Sequence, residues 1–438
     1  MSSEVVAGRS RLNVRQAAFI GVGAMVGAGI FSLLGAAGEV AGAAVWISFL
    51  LAGAIAMLQG YSFAKFGARY PSAGGLLEYV RQGYGSGHVT GIVAWLLLTA
   101  NAIITAMVAV SFGSYASSAV TDGNETWGKV FAVAVIVVMA GLNVVGSKAV
   151  ARAQTVVVVV VIGILTIFAV ATISTIDADL LDPSGYPSIA DIVASVALTF
   201  FAFLGFGVIT FTAKDLADPP RQLPRAMFLA LGIATVIYLA VALGVFGTLT
   251  VDEVIESGGT ALAVAAEPTL GRAGYWMMTV TALFATAGAT NAGLYPAAGL
   301  CEEMAQTGQF PPAMGARLAA RVPVGLAFTG VSAALLAVLF DLSAIASIGS
   351  VVALVVFSMI TVGHVRVRNE TGANVVVLAV AIVSTLAVLV AFVFTTLVDE
   401  PATAVTLLVI TIGCIVVDAV WKSRAPVGGP SVPSTGAS

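Results

Sequence analysis

The stretch "GVGAMVGAGIF", Gly21 to Phe31, places four glycines among eleven residues of the first apolar segment. Each glycine costs about 1 kcal/mol relative to alanine inside a helix. An unwound turn at "GAMVGAG" would present free N–H groups, and the positive end of the following half-helix adds to their attraction for an anion. Non-helical backbone is tolerated at membrane depth only where protein buries it or where it lines a cavity. Packing is the competing reading, because Gly23 and Gly27 form a Gly-x-x-x-Gly face that lets another helix approach closely. A second interruption favours the first reading, and the sixth apolar segment supplies one. In "TFFAFLGFGVITFTAKD", Thr199 to Asp215, Gly205 and Gly207 stand mid-segment among phenylalanines.

The rest of the chain offers little other chemistry. No Gly-x-x-x-x-Gly-Lys-Ser/Thr phosphate loop occurs, which argues against direct ATP drive. The two histidines, His88 and His364, lie near loops, and the two cysteines, Cys301 and Cys414, lie within or at the ends of apolar segments. Neither pair suggests a metal site or a disulfide. No cofactor and no nucleic-acid partner is expected. Recognition must then rest on backbone, hydroxyls, amides and aromatic faces.

The elements that position these residues are membrane spans. The 438 residues are 59% hydrophobic and only 9% charged, with a mean hydropathy of +1.04, whereas soluble domains carry about 25% charge. A span needs about 20 apolar residues. Twelve segments qualify, at 16–38, 41–66, 88–119, 128–146, 149–174, 192–213, 226–249, 272–303, 323–340, 343–362, 375–397 and 402–421. With residues 1–15 in the cytoplasm and the spans alternating, 17 of the 19 Lys and Arg fall inside, and only Lys129 and Arg272 fall outside. That distribution follows the positive-inside rule and supports an even number of spans with both termini cytoplasmic. The polar tail, 422–438, reads as disordered. The first span then runs inside to outside and the sixth outside to inside. This is the arrangement of two five-helix repeats of inverted topology, 16–174 and 192–362, followed by two further helices over 375–421.

"GAMVGAGIF" resembles the first-helix signature of the amino acid–polyamine–organocation (APC) transporters. "RYPSAGGLLEYVRQGYG" (Arg69 to Gly85) is similar to their helix 2–3 loop, and "NVVGSKAVARAQ" (Asn143 to Gln154) to the entry of their fifth helix. "FFAFLGFGVITFTAKDLADPPRQLPRA" (Phe200 to Ala226) resembles their sixth helix with its exit, and "NAGLYPAAGLCEEMAQTGQFPP" (Asn291 to Pro312) their eighth helix and loop. The match runs in order from about residue 12 to 365. It implies an all-α integral membrane protein of twelve transmembrane helices with a LeuT-like fold, helices 1 and 6 broken. It further implies an amino acid permease of the plasma membrane, a secondary transporter working by alternating access as monomer or homodimer. The first-helix backbone at Met25, Gly27, Ala28, Gly29 and Ile30 is the family's carboxylate site. Carbonyls at Phe203, Leu204 and Phe206, around Gly205, are its amino-group site, and the aromatic gate falls on Phe203.

Three departures bear on coupling. The fifth-helix lysine of some proton-coupled members is absent, since its position falls near Val161 in "TVVVVVVIGIL". Lys214 stands where an acidic residue is usual at the end of helix 6, with Asp215 next. Ala298 and Gly299 replace the usual Ser-Arg pair of helix 8. Proton and sodium therefore both stay open as the driving ion. Thr286 and Thr290, with Asn291, form a polar stripe on the eighth span that reads as helix packing or as a sodium site of oxygen ligands. Asn101 in the third span is an interhelical hydrogen-bonding residue or a substrate ligand. Glu302 and Glu303 are interfacial charges or a proton relay. Two other classes compete with transport. One is a membrane enzyme using Asp215 and Asp218 of "KDLADPP", which lacks a second acidic cluster; the other is a transport-inactive amino acid sensor.

Overall fold

The computed structural model describes residues 12–72, 74–145, 148–318, 321–397 and 401–424. The chain is an all-α membrane protein. The first segment is α1 (Val14–Met25), α2 (Ala28–Ser32) and α3 (Leu34–Ala41), followed by α4 (Val45–Arg69), the short α5 (Leu76–Tyr84), α6 (His88–Val120), α7 (Glu125–Val145) and α8 (Lys148–Ser174). Next come α9 (Ile189–Thr199) with a 3-10 segment (Phe200–Asp215), α10 (Pro219–Phe246), α11 (Val251–Ser257), α12 (Ala261–Gln306), α13 (Val324–Leu339), α14 (Leu342–Thr371), α15 (Val375–Phe392) and α16 (Pro401–Arg424).

Ten helical stretches are long and apolar enough to cross a membrane, among the described residues. They coincide with ten of the expected spans. The expected span 272–303 falls within α12, whose backbone leaves helical geometry at Gly271 (φ 67°, ψ −172°) immediately before it. The expected span 323–340 corresponds to α13, an apolar helix of 16 residues.

Local chemistry explains where the helices begin. Asn13 and Gln16 form a reciprocal capping box, so α1 starts two residues before the expected boundary. Ser188 with Asp191, and Thr250 with Glu253, do the same for α9 and α11. Pro219 sits in the first turn of α10, where its missing N–H is harmless, and the helix begins well ahead of position 226. Part of the expected tail is helical, since α16 runs through Lys422 to Arg424. The remainder of that tail, like residues 1–11 of the N-terminal segment, lies outside the described residues.

One further difference concerns the sixth segment. An interruption was expected at Gly205–Gly207. Instead the helix type changes at Thr199–Phe200, and i→i+3 geometry continues to Asp215. Thr210 Oγ1 donates to Gly207 O and Thr212 Oγ1 to Ile209 O, each three residues back. A 3-10 helix rises about 2.0 Å per residue against about 1.5 Å for α, so the segment is stretched rather than unwound. At its far end Leu12 N donates to Asp215 O at 2.8 Å, tying the start of α1 to the end of the 3-10 segment.

Candidate functional site

The first segment is interrupted as expected. At Val26 (φ −77°, ψ 83°) the chain makes an inverse γ-turn, with Gly27 N–H donating to Met25 O at 2.9 Å. Gly27 is the N-cap of α2 and supplies no side-chain cap. The amides of Ala28, Gly29 and Ile30 are the first of that helix, so helical geometry gives them no acceptor within it. Met25, Gly27, Gly29 and Ile30 are buried, while the side chain of Ala28 lies outside the described residues.

Two glycines press this turn against the 3-10 segment. A Cβ on Gly29 would stand 2.3 Å from Ala202 Cα, and a Cβ on Gly205 would stand 2.2 Å from Ala24 O and 2.6 Å from Met25 N. Real Cβ atoms do not approach backbone so closely, and only glycine permits this crossing. The structure thus brings Met25, Gly29 and Gly205 to one junction.

Two buried tyrosines hold the junction, and the sequence reading passed over both. Tyr238 on α10 is fully buried, and its hydroxyl lies 2.7 Å from Met25 O and 3.0 Å from Ala202 O. Having one proton, the phenol shares it between a carbonyl at the turn and one in the first turn of the 3-10 segment. Tyr115 on α6 donates to Phe31 O at 2.8 Å, and Ser32 Oγ meets Ser111 Oγ of the same helix. The end of α1 is thereby tied to α10, and α2 to α6. The signal was available: a tyrosine within an aliphatic span must find an acceptor for its hydroxyl.

The phenylalanines of the 3-10 segment divide among different neighbours. Phe203 packs edge-on against Tyr238 at 5.0 Å, and its Cζ would meet a Cβ on Gly53 of α4 at 3.3 Å. Its ring therefore faces the α4–α10 side. Phe201, two residues earlier, lies beside Gly349 of α14, next to Ile103 of α6. Phe206 stacks on Phe63 of α4 at 5.4 Å and meets Phe357 of α14 edge-on at 5.3 Å. Leu204 is buried.

Among the described residues, the other singled-out residues make no hydrogen bond to this junction, although Ala289, beside Thr290, packs on Gly27. Thr286 Oγ1 donates to Ala282 O and Thr290 Oγ1 to Thr286 O, so both hydroxyl protons serve their own helix. Asn291 Oδ1 accepts from Asn143 Nδ2 at 2.7 Å, joining α12 to α7. Asn101 is half-buried on α6, and its carbonyl accepts from Thr105 Oγ1. Val161 is a buried apolar residue of α8. Glu302 is exposed. Glu303 lines a cavity of about 410 Å³ together with Glu78 and Arg81 of α5. There the Glu78 carboxylate takes both Arg81 Nε and Nη2 at 2.9 Å, which pushes the guanidinium above its ordinary value. A second cavity, of about 470 Å³, lies between α6, α7 and the α13–α14 connection, and Ser114, Lys129 and Asp341 are among its lining residues.

With this geometry in place, similarity to known proteins is informative. The family model described as amino acid permease matches residues 12–420. The inner membrane transport protein YbaT of Escherichia coli (strain K12) is 32% identical over 396 residues, covering 90% of this chain and 92% of the relative. Cationic amino acid transporter 2, vacuolar, of Arabidopsis thaliana is 28% identical over 82% of this chain and 59% of its own length. The methylthioribose transporter of Bacillus subtilis (strain 168) is 28% identical over 52% of this chain and 53% of its own.

Proposed function

The chain belongs to the amino acid permease family, within the APC superfamily, and is a transporter rather than an enzyme; from that premise we propose that it moves an amino acid or related amine across the plasma membrane by alternating access. The proposed frame is the LeuT-like one, with twelve spans, both termini cytoplasmic, and inverted five-helix repeats over 16–174 and 192–362 followed by helices over 375–421. The observation that carries the reading is the junction itself, where an interrupted helix is pressed backbone-to-backbone on a 3-10 segment.

In this reading the amides of Ala28, Gly29 and Ile30 take the substrate carboxylate, supported by the helix dipole. Carbonyls at Phe203, Leu204 and Phe206 take the ammonium group through the lone pair that the 3-10 ladder leaves free. Opposed backbone dipoles then meet both charges of a zwitterion without a fixed side-chain charge. The aromatic cover is assigned to Phe201, between α6 and α14, while Phe203 packs with Tyr238. Met25, Ile30 and Phe206 give an apolar surround suited to neutral side chains. Transport is coupled to a cation or proceeds by exchange.

Counterflow in proteoliposomes tests this. Vesicles loaded with unlabelled amino acids should accumulate the matching labelled one. Gly27→Leu, whose Cβ would sit 3.1 Å from Ala289 Cβ, should abolish counterflow in protein that still purifies as a folded species. No exchange by the unaltered protein across the proteinogenic amino acids and simple amines would overturn the reading. Normal exchange by Gly27→Leu would overturn the carboxylate assignment.

A further inference from the structure

A polar seam runs between α4, α14 and α15. Thr361 Oγ1 donates to Gln59 Oε1 at 2.6 Å, and Gln59 Nε2 donates to Thr385 Oγ1 at 2.8 Å. One turn along α14 from Thr361, His364 is fully buried between Ser62 Oγ at 2.9 Å from Nδ1 and Thr371 Oγ1 at 2.8 Å from Nε2. His364 stands two residues past the expected span 343–362, toward the end of α14 that carries Arg366 and Arg368, yet it is fully buried; an ionisable side chain so buried is costly and marks a candidate functional site.

The hydrogen-bond inventory assigns the ring's protons. Thr371 Oγ1 donates to Arg368 O at 3.1 Å, so its proton is engaged and Nε2–H must be the donor to that oxygen. Nδ1 then accepts the Ser62 hydroxyl proton. This neutral tautomer uses every hydrogen in the chain. A second proton on Nδ1 meets the Ser62 proton head-on, and Ser62 must turn its O–H to a backbone carbonyl of α4, as helix serines do. One proton therefore reverses the bond that links α4 to α14.

The same face of α4 leads to the substrate junction. His364 stacks on Phe66 at 4.1 Å, and Phe63, one turn earlier, stacks on Phe206 of the 3-10 segment and meets Phe357 edge-on at 5.0 Å. Gln59, Ser62, Phe63 and Phe66 share this helix face at spacings of three, four and seven residues. The titratable and charged groups around the ring are Lys65 and Arg69 on α4, Tyr70 and Tyr79 through their contacts with Phe66, Tyr84 of α5 against Gly363, and Arg366, Arg368 and Glu370 along α14, where Glu370 accepts from the Tyr70 hydroxyl.

We propose that His364 takes up and releases the proton that drives transport, with Ser62 and Thr371 as its hydrogen-bonding partners and the Phe66–Phe63–Phe206 column carrying the change to the substrate junction. This rests on the transport reading above and names the coupling ion for it. The closed seam holds the neutral ring; a proton enters at Nδ1 from water admitted on one side of the membrane when α4 and α14 part, and leaves Nδ1 to water admitted from the other side before the seam closes again on the neutral ring. The ring is balanced as imidazole plus proton, with no other reactant.

The test uses proteoliposomes of the full chain and a radiolabelled amino acid that the unaltered protein exchanges. Counterflow and accumulation under an inward acid gradient are measured in parallel for the unaltered protein and His364→Gln. The ratio of gradient-driven accumulation to counterflow should fall about tenfold or more, within the range that couplings between sites span, and its pH dependence should flatten. An unchanged ratio and pH profile in His364→Gln overturns the proposal, as does an unaltered protein that exchanges but ignores the acid gradient; in both cases the transport reading stands. Absence of exchange in the unaltered protein removes both. Should His364→Gln fail to fold, Ser62→Ala decides: a displaced midpoint in the pH profile of accumulation supports the assignment, and an unmoved midpoint refutes it.

Discussion

Tyr238→Phe removes one oxygen from the place where α1 and the 3-10 segment meet. The phenol bridges Met25 O at 2.7 Å and Ala202 O at 3.0 Å, and nothing about the ring's packing on Phe203 and Phe49 requires the hydroxyl. A buried acceptor left wholly unsatisfied costs about 1–3 kcal/mol. Here Met25 O keeps the Gly27 N–H, and Ala202 O lies in the 3-10 ladder. The cost therefore falls at the low end, about 1 kcal/mol. If the bridge sets the geometry that the substrate meets, that energy appears in binding, and the apparent KM should rise about fivefold while the maximal rate changes less. The assay is concentration-dependent uptake in proteoliposomes, paired with thermal unfolding in detergent. Tyr84→Phe is the matched control: its hydroxyl also donates to a carbonyl, Met359 O at 2.7 Å, but on α5, away from the junction. Equal KM values for the two variants would refute the reasoning and reduce Tyr238 to a packing residue.

Other outcomes follow from the same geometry. Gly205→Ala drives a Cβ into Ala24 O and Met25 N, where backbone must move, and uptake should be lost at a stability cost of about 1–3 kcal/mol, read by thermal unfolding. Asn291→Ala leaves the half-buried Asn143 amide with only its intrahelical acceptor, Met139 O, and should destabilise by about 1 kcal/mol or less without altering the choice of driving ion. Phe201→Ala should weaken substrate retention, seen as faster efflux from preloaded vesicles, whereas Phe203→Ala should chiefly lower thermal stability; the opposite pattern would return the cover to Phe203. Replacing Glu302 and Glu303 together by Gln should leave the pH profile of uptake in place, because one is exposed and the other lines the cavity beside α5; a flattened profile would make them the relay.

Much of this protein was legible in the chain because the relevant signals are local. Composition and the length of apolar runs established a membrane protein, since a span is defined by the residues inside it. Glycine spacing placed an opening within Gly23–Gly29, where the turn at Val26–Gly27 lies, because a helix that must open shows it in its own residues. The distribution of Lys and Arg is the basis of the proposed orientation for the same reason, loop by loop. What stayed hidden depends on pairs of distant residues. Gly205 marks a close crossing with Ala24 rather than an opening in its own helix, and the sequence cannot distinguish those two uses of glycine. Tyr238 meets Met25 across 213 positions and Ser62 meets His364 across 302; periodicity within one helix carries no record of such partners. The side that each phenylalanine of "TFFAFLGFG" faces turned on helix type, since 3-10 winding turns about 120° per residue rather than about 100°. Local residue types therefore determined what crosses the membrane and where the first helix yields. Tertiary packing alone decided which side chains hold the yielding turn and which ionisable side chain is buried between α4 and α14.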